Sequence, residues 1–294
     1  MTDIAFLGLG IMGSRQAAHL TGEHTLTVYN RTTETAEKWA AEHGARVAAT
    51  PREAAAAADI VISMVVDGDQ VAALLLDEPD GAVHGARDGA LFVDMSTIAP
   101  TQTRAIGARL AERGVRFVDA PVTGSAPKAA DGTLTIMCGG EAADVDRARP
   151  LLEAMGETVV HVGALGQGEM AKLINNSVAA ANAAVVAQAL VVGKATGVDL
   201  DALVAVMTSG SGSSKMLELK AGPMRAHDYE TLFKLEHMLK DVRLCLEEAQ
   251  AAGVPFPGAA AARDQYVAAL GRGLGDADFA AVLEAVEGLA GVRL

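Results

Sequence analysis

Residues 4–13 read Ile-Ala-Phe-Leu-Gly-Leu-Gly-Ile-Met-Gly, an apolar run that leads directly into a glycine-rich turn. The run Ile4–Gly8 predicts a buried strand, and the glycines have the G-x-G-x-x-G spacing between a strand and a helix. There the first glycine permits a tight turn, the second lets the backbone approach a pyrophosphate at the helix start, and the third allows close helix packing. The expected nucleotide contacts are Gly8, Leu9, Gly10, Ile11, Met12 and Gly13.

Outward from this turn, short β-rich runs alternate with helical stretches as far as about Val162, the pattern of βαβ units around a parallel sheet. The predicted strands are Ile4–Gly8, Leu26–Asn30, Ile60–Val66, Leu91–Met95, Arg116–Asp119, Leu134–Cys138 and Thr158–Val162. Helices are predicted between them, for example at Thr33–His43, Gln102–Arg113 and Glu141–Met155. The fold class is therefore α/β, with a doubly wound parallel sheet of the Rossmann type.

A long apolar stretch, Gln167–Ala195, follows the predicted sheet. As a helix it would extend over about 28 residues, or about 42 Å, which exceeds an ordinary surface helix. Amides interrupt it at Asn175, Asn176, Asn182 and Gln188. Because buried amides would be costly in lipid, we expect an interdomain helix of a folded protein and no membrane span.

Helical patterns alone follow this stretch, and they predict an all-α C-terminal domain. They cover Leu200–Thr208, Leu235–Ala252, Ala259–Leu270 and Phe279–Leu289. The Ser-, Gly- and Met-rich segment Ser209–Phe233 is poorly patterned, and we predict that it is mobile. The predicted division is a nucleotide-binding domain at 1–163, an interdomain helix at 164–195 and an all-α domain for substrate binding and oligomerisation at 196–294.

Composition excludes several classes of function. The formal net charge of −13 argues against a protein that binds nucleic acid or an anionic membrane. The cysteines, Cys138 and Cys245, have neither a disulfide-framework nor a zinc-ligand spacing, so we expect no metal and a reducing, cytoplasmic location. The N-terminal residues lack a basic segment and a cleavage site, so no export signal is expected.

The end of the second predicted strand bears on the choice between NAD and NADP. An NAD-preferring site usually has a carboxylate about 20 residues after the glycine motif, but residues 30–33 read Asn-Arg-Thr-Thr. Arg31 is able to form a charge-assisted fork with a 2′-phosphate, and the threonine hydroxyls add donors, so we expect NADP(H). The expected contacts outside the glycine turn are Asn30, Arg31, Thr32, Met64 and Val65.

Two polar residues, Lys172 and Asn176, lie near the start of the long apolar stretch. On a helix, residues at this spacing project from the same face. A lysine and an amide together are able to bind and protonate a carbonyl oxygen, provided that partial burial lets the lysine exchange a proton near working pH. Taken alone, a lysine near a helix start is more often solvated than catalytic.

Five motifs stand in the order of a known family and extend over nearly the whole chain. They are Gly8–Gly13, Asp94–Thr97, Asp119–Ser125, Gly168–Asn176 and Lys240–Asp241. Together they resemble the β-hydroxyacid dehydrogenases, which include 3-hydroxyisobutyrate dehydrogenases, tartronate semialdehyde reductases and glyoxylate/succinic semialdehyde reductases. The resemblance implies hydride transfer between a nicotinamide cofactor and a small carboxylate-bearing aldehyde or hydroxy acid.

The resemblance also implies roles for individual residues. Lys172 matches the catalytic lysine, which is the general acid in aldehyde reduction and the general base in alcohol oxidation, and Asn176 matches the amide that holds the substrate. The positions implied for the substrate carboxylate are Thr123 and Gly124, with Ser125 beside them, in a nest that needs no metal. The other implied positions are Thr97 and Lys240 for the cofactor, and Phe233 and Asp241 for closure over the substrate.

Details of these motifs favour one branch of the family. The common Ser-Gly-Gly of the substrate loop is Thr-Gly-Ser at residues 123–125. Three segments resemble those of NADPH-dependent glyoxylate/succinic semialdehyde reductases more than those of NAD-dependent 3-hydroxyisobutyrate enzymes. They are this loop, the Asn-Arg-Thr loop and the run Phe233–Asp241. A 3-hydroxyisobutyrate or tartronate semialdehyde enzyme stays the alternative.

Two further alternatives are less expected. An imine reductase shares the architecture but usually lacks the lysine that this chain has as Lys172. A non-catalytic nucleotide-binding protein would have a missing lysine or a degraded substrate loop, and both are intact here. The apolar face of the long helix and the Met-rich segment Met207–Met224 exceed what one small helical domain needs to bury, so we expect a homodimer or homotetramer.

Overall fold

The computed structural model describes residues 2–294 and divides the chain into two compact units, Met1–Lys172 and Leu173–Leu294. The first unit is built on one sheet. Its strands are β1 (Asp3–Leu7), β2 (Thr25–Tyr29), β3 (Arg46–Val47), β4 (Ile60–Ser63), β5 (Leu91–Asp94), β6 (Arg116–Asp119), β7 (Val122–Thr123), β8 (Leu134–Gly139) and β9 (Gly156–Gly163).

The strand order is β3-β2-β1-β4-β5-β6-β8-β7, and β9 pairs with β8. All pairs from β3 to β6 are parallel, whereas β8 runs antiparallel to β6 and β7 and parallel to β9. The order 3-2-1-4-5-6 is that of a doubly wound sheet, in which ligands bind at the carboxyl ends of the strands. The predicted Rossmann-type α/β fold is thereby confirmed.

Both faces of this sheet are buried along its central strands β1, β4 and β5. Alternate residues along β1 enter different cores: Ile4 and Phe6 lie in one, and Ala5 and Leu7 lie in the other. Side chains of a strand alternate between the two faces, so each face must be covered by helices. The helices of this unit are α1 (Gly13–Ala18), α2 (Thr33–His43), α3 (Pro51–Ala55), α4 (Gly68–Leu76), α5 (Pro100–Ala111), α6 (Ser125–Asp131) and α7 (Ala142–Met155), with a 3₁₀ turn at Ala82–His84.

The second unit is helical, as predicted. Its core is formed by apolar side chains such as Leu190, Leu239 and Tyr266. Its helices are α8 (Gln167–Thr196), whose first turns belong to the first unit, α9 (Leu200–Ser209), α10 (Lys215–Ala226), α11 (Leu235–Ala251), α12 (Pro257–Leu270) and α13 (Val282–Ala290), with a 3₁₀ turn at Phe279–Ala281.

The helix α8 is the one helix among residues 2–294 with the length and apolar composition of a membrane span. Its side chains Ala183, Ala187 and Leu190 are fully buried in the core of the second unit. Two polar residues near its start, Lys172 and Asn176, are buried as well. This combination is that of a core helix in a folded protein, since buried polar groups need protein partners.

The structure corrects two predictions and adds two short strands. The poorly patterned segment Ser209–Phe233 is not irregular throughout, because it contains α10, which Ser214 caps by accepting a hydrogen bond from Leu217 N. Predicted strand Ile60–Val66 ends at Ser63, so Met64 and Val65 lie in the loop that follows β4. The short strands β3 and β7 were not predicted, because two residues carry no recognisable alternation.

Candidate active site

The glycine turn after β1 has the shape that the spacing predicts. Gly8 has φ of +104°, a conformation that favours glycine, and a Cβ there would overlap the carbonyl oxygen of Met64. A Cβ on Gly13 would overlap the carbonyl oxygen of Gly8, whereas a Cβ on Gly10 would meet nothing within 4 Å. Packing therefore requires Gly8 and Gly13, and Gly10 leaves open backbone that fits the approach of a dinucleotide phosphate.

Asn30 connects this turn to the end of β2. Its Oδ1 accepts a hydrogen bond from Leu9 N at 3.0 Å, and its Nδ2 donates to Thr32 O at 3.1 Å. Arg31 lies between these two contacts with an exposed side chain, and Thr32 is exposed as well. Asn30 thus has a structural task that the sequence did not indicate, while Arg31 is available to a ligand.

A buried carboxylate, Asp94, organises the next two strand ends. Its Oδ1 accepts hydrogen bonds from Ser63 Oγ and Ser96 Oγ, each at 2.7 Å, and Ser96 Oγ in turn accepts one from Val65 N at 2.9 Å. Burial raises the pKa of Asp94 to about 6, although the hydrogen bonds from the two serines lower it. The loop of Met64 and Val65 is therefore held by Asp94 through Ser96.

The predicted substrate loop begins at Thr123, the last residue of β7, and ends at Ser125, the first residue of α6. Thr123, Gly124 and Ser125 are all partly buried, and both Gly124 and Ser125 have positive φ, of 137° and 59°. A Cβ on Gly124 would lie 2.7 Å from Cβ of Lys128, so glycine is needed for space as well as for conformation. The hydroxyls of Thr123 and Ser125 are hydrogen-bond donors suited to a carboxylate.

The start of α8 is fixed by side chains of the first unit. Asp119, at the end of β6, accepts hydrogen bonds from Gly166 N at 2.7 Å and Glu169 N at 2.8 Å. Glu169 Oε2 accepts a hydrogen bond from Ile98 N at 3.2 Å, in the loop after β5. Lys172 follows within one turn of the helix and is only 7% exposed. The lysine therefore emerges from a rigid, buried part of the unit.

In the second unit, Asn176 contacts a residue that the sequence also singled out. Asn176 Nδ2 donates to Asp241 Oδ2 at 2.7 Å, and Lys240 Nζ lies 3.0 Å from Asp241 Oδ1. Asn176 and Asp241 are both buried, whereas Lys240 is partly exposed. The amide of Asn176 is thus oriented by a carboxylate on α11.

Phe233 precedes α11 and is held by a buried ion pair. Lys220 Nζ lies 2.8 Å from Asp278 Oδ1, and Asp278 Oδ2 accepts hydrogen bonds from the backbone N–H groups of Leu232 and Phe233. The Phe233 ring packs edge-to-face on Phe279, with 6.2 Å between centroids. None of this was predicted, because Lys220 lies in the segment that the sequence leaves unpatterned.

Within the first unit, the residues expected to bind cofactor and substrate lie at the carboxyl ends of neighbouring strands. Gly8 follows β1, Asn30 follows β2, Met64 follows β4 and Thr97 follows β5. The strands are parallel, so these ends form one edge of the sheet. Sequence reasoning missed the tasks of Asp94 and Asp119, although Asp119 ends a predicted strand, Asp94 is the last residue but one of another, and each stands in a family motif, which is the signal that could have indicated them.

A separate group in the second unit has metal-ligating residue types. Ligand atoms of His227, Glu284 and Glu287 lie within 4.8 Å of one another. Arg293 Nη1 lies 2.8 Å from a carboxylate oxygen of each glutamate. Because the guanidinium already pairs with both carboxylates, we assign this group to the packing of the C-terminal residues.

Comparison with known proteins agrees with this geometry. Residues 3–163 match the model of the NAD binding domain of 6-phosphogluconate dehydrogenase, and residues 166–286 match the NAD-binding domain of NADP-dependent 3-hydroxyisobutyrate dehydrogenase. The chain is 38% identical to a NAD-dependent L-serine dehydrogenase of Pseudomonas aeruginosa, over 96% of this chain and 97% of the relative. It is 37% identical to a 3-sulfolactaldehyde reductase of Escherichia coli, over 99% and 98% of the two chains.

A solved structure is similar to this chain over nearly its whole length. The 3-hydroxyisobutyrate dehydrogenase of Mycobacterium tuberculosis, solved with L-serine, is 34% identical and superposes with a TM-score of 0.89 over 97% of this chain and 98% of that one. The matches extend over both units, and the named relatives act on hydroxyl groups or the corresponding aldehydes. The chain therefore belongs to the β-hydroxyacid dehydrogenase family of NAD(P)-binding oxidoreductases.

Proposed function

We propose that this protein reduces a small carboxylate-bearing aldehyde with NADPH, or oxidises the matching hydroxy acid with NADP⁺, and that glyoxylate or succinic semialdehyde is the aldehyde. The observation that carries the proposal is the buried side chain of Lys172 near the start of α8, where hydrogen bonds attach the helix to the end of β6 and to the loop after β5. The nicotinamide nucleotide, when bound, supplies the hydride in reduction and accepts it in oxidation.

Lys172 is the proton donor in reduction and the proton acceptor in oxidation. A general acid must be held within hydrogen-bond reach of the reacting oxygen, and a lysine on a rigid helix satisfies this requirement better than one on a loop. Asn176 hydrogen-bonds to the reacting oxygen of the substrate or to a neighbouring substrate oxygen, and Asp241 orients the Asn176 amide. Lys240 and Thr97 contact the cofactor, and Phe233 covers the substrate.

The carboxylate of the substrate binds at residues 123–125. Thr123 and Ser125 contribute hydroxyl donors, and Gly124 brings its backbone N–H into the same turn without a side chain to block it. An anion held by neutral donors needs no metal ion. Substrates that lack an anionic group should therefore react poorly.

NADP(H) is proposed over NAD(H) on the basis of charge. The end of β2 offers Asn30, whose amide is occupied by Leu9 N and Thr32 O, and the exposed cation Arg31. Residues 30–33 contain no carboxylate that would repel a 2′-phosphate, and a guanidinium is the side chain best matched to one.

The test is a spectrophotometric assay of NADPH oxidation with glyoxylate, succinic semialdehyde, methylmalonate semialdehyde and tartronate semialdehyde. Lys172→Ala should lower turnover by about 10³-fold or more while NADPH affinity stays nearly intact, because the lysine acts on the reacting oxygen. Lys194→Ala removes an exposed lysine from the same helix and serves as the matched control. Loss of NADPH binding in Lys172→Ala, with turnover of the residual complex intact, would contradict the assignment.

A second candidate is the oxidation of L-serine with NAD⁺. It is favoured by the dehydrogenase from Pseudomonas aeruginosa, which is named for NAD and L-serine, and by the L-serine in the Mycobacterium tuberculosis structure. L-serine also presents a hydroxyl and a carboxylate, so the site proposed here suits it. Activity with L-serine and NAD⁺ that exceeds every aldehyde rate with NADPH would replace the first proposal by this one.

We also infer that the protein forms a homodimer or homotetramer. The helix α9 has no buried residue although its sequence is largely apolar, and Val206 on it is 67% exposed. On α8, Val185 and Val192 are each 60% exposed. Apolar surface of this kind marks a protein interface. Light scattering coupled to size-exclusion chromatography should give a multiple of 30.1 kDa, and a monomer at assay concentration would contradict the inference.

A further inference from the structure

Asp119 links the substrate loop to the helix that carries Lys172. It is the last residue of β6, it is fully buried, and the segment Ala120–Ser125 follows it directly. Its carboxylate accepts backbone hydrogen bonds at the start of α8: Oδ1 from Gly166 N and Oδ2 from Glu169 N. These partners are 47 and 50 residues away in sequence, so the contact is a tertiary one.

Neighbouring glycines leave room for this carboxylate. A Cβ on Gly139 would overlap Asp119 Oδ1, and a Cβ on Gly168 would lie 2.7 Å from Asp119 Oδ2. Either distance is too short for a real contact, so β8 and the first turn of α8 both lack a side chain where they face Asp119. The carboxylate therefore occupies a closely fitted space with little freedom to move.

A second carboxylate restrains the same turn of α8. Glu169 is fully buried, and its Oε2 accepts a hydrogen bond from Ile98 N. The first turn of α8 is thus attached to the loop after β5 through Glu169 and to the end of β6 through Asp119. Lys172 lies less than one turn further along, so its backbone position follows from these two attachments.

We propose that Asp119 is a positioning residue for the reaction: its carboxylate sets the distance between the Lys172 amine and the substrate loop at residues 123–125. The inference rests on the proposed function, in which Lys172 exchanges the proton and that loop holds the substrate. The Asp119 carboxylate touches neither substrate nor cofactor in this role. It acts by fixing the start of α8 relative to the substrate loop.

Burial of the Asp119 carboxylate costs free energy, which supports a specific role for this residue. Burial raises the pKa of Asp119, and backbone hydrogen bonds from Gly166 and Glu169 oppose that effect. A buried carboxylate is costly unless donors compensate it, and charge-assisted bonds are stronger than neutral ones. Asparagine has nearly the same shape but offers one oxygen acceptor, so it is able to satisfy only one of the two N–H groups.

The experiment compares Asp119→Asn with the unsubstituted protein in the NADPH assay. We expect kcat to fall about 100-fold, because a displacement of about 1 Å in a reacting group has that effect. NADPH affinity, measured by fluorescence titration, should stay within about threefold, and KM should change less than kcat. The primary isotope effect with 4-deuterated NADPH should rise, because hydride transfer becomes more nearly rate-limiting.

Asp144→Asn is the matched control. Asp144 is also a buried aspartate of the first unit, but its partner is Arg116 at the amino end of β6, with Arg116 Nε 2.9 Å from Asp144 Oδ2. This variant should lose thermal stability and keep kcat and the isotope effect. An equal loss of kcat in both variants would mean that Asp119 has only a general structural role, which overturns the proposal.

A second variant and a measurement keep the test valid should Asp119→Asn not fold. Gly139→Ala keeps the carboxylate but displaces it, and it should show the same selective loss of kcat. In the unsubstituted protein, the amide protons of Gly166 and Glu169 should exchange slowly with deuterium. A kcat within about twofold of normal in either folded variant, or rapid exchange at both amides, overturns the proposal. If Lys172→Ala itself stays active, the proposed function has failed, and that result is distinct.

Discussion

Leu9 N donates a hydrogen bond to Asn30 Oδ1 across 3.0 Å, and this contact ties the glycine turn after β1 to the loop after β2. Leu9 is buried, and the Asn30 amide satisfies its N–H. The two loops that the sequence assigns to the phosphates and the ribose of the cofactor are therefore one structural element. Its geometry depends on the Asn30 amide as well as on the glycines.

Asn30→Ala should weaken NADPH binding through this element. Removal of the acceptor leaves a buried N–H unsatisfied, which costs about 1–3 kcal/mol and loosens the turn. We expect the Kd for NADPH, measured by fluorescence titration, to rise about tenfold or more. Thr35→Ala, on the exposed side of α2, is the control and should leave the Kd unchanged.

Arg31→Asp should reverse the cofactor preference. The substitution removes the cation next to the expected 2′-phosphate and adds a carboxylate that repels it. The ratio of kcat/KM with NADPH to kcat/KM with NADH should fall about 100-fold or more. Lys38→Glu changes the net charge equally from an exposed site on α2. An unaltered ratio in Arg31→Asp would remove the basis of the NADP(H) proposal.

The glycines of the turn should separate into two classes. Gly10→Ala has open space around the new methyl group, so the protein should keep its stability and lose NADPH affinity. Gly13→Ala forces a methyl group against the Gly8 carbonyl, which should lower the free energy of unfolding by about 1–3 kcal/mol. Urea unfolding and NADPH titration of both variants test this division. Equal stability losses would show that Gly10 also serves packing.

Asp94 should make stability depend on pH in an unusual direction. Its pKa is raised from 3.8 to about 6 in the folded protein, so between these values the folded chain binds a proton that the unfolded chain has lost. This residue's contribution to the free energy of unfolding therefore increases as pH falls from about 6 towards 4, and it is at its minimum above pH 6.

Asp94→Asn tests that sign. Asparagine keeps the oxygen that Ser63 and Ser96 require and removes the buried charge, so the variant should match or exceed the unsubstituted protein in stability at pH 7.5. The difference should shrink, or change in favour of the unsubstituted protein, at pH 4.5. Urea unfolding at both pH values measures the difference in free energy of unfolding between the two proteins. A difference that does not change with pH would show that Asp94 does not titrate in this range.

Lys220→Met should destabilise the second unit and impair substrate binding together. It leaves the buried Asp278 carboxylate without its cation, which costs about 3 kcal/mol or more, and Asp278 holds the backbone at Phe233. We expect a lower free energy of unfolding and a higher KM for the aldehyde.

The double variant Lys220→Met/Asp278→Asn should recover part of the stability, because it removes the uncompensated charge. Lys215→Ala breaks the exposed pair with Glu218 on the same helix and should change little. If Lys220→Met alters stability but not KM, Phe233 has no part in substrate binding.

Much of the site could be predicted because its signals are local. The strand–turn–helix at Gly8–Gly13, the helix Thr33–His43 and the start of α8 at Gln167 each follow from periodicity, glycine spacing or a cap within a few residues. The helix α10 was missed, although Leu217, Ala221 and Met224 recur on one face, because Ser and Gly residues around it resemble a loop.

The amino-acid sequence by itself determined the sheet-forming pattern, the glycine turn, the absence of a carboxylate beside Arg31 and the presence of a lysine near the start of a long helix. Only the tertiary structure decided which groups Asn30, Asp94 and Asp119 hold, since their partners lie 21, 31 and 47–50 residues away. Local patterns indicate which face of a strand or helix a residue lies on. A hydrogen bond between distant segments depends on strand order and register, which are set only when the whole sheet has packed.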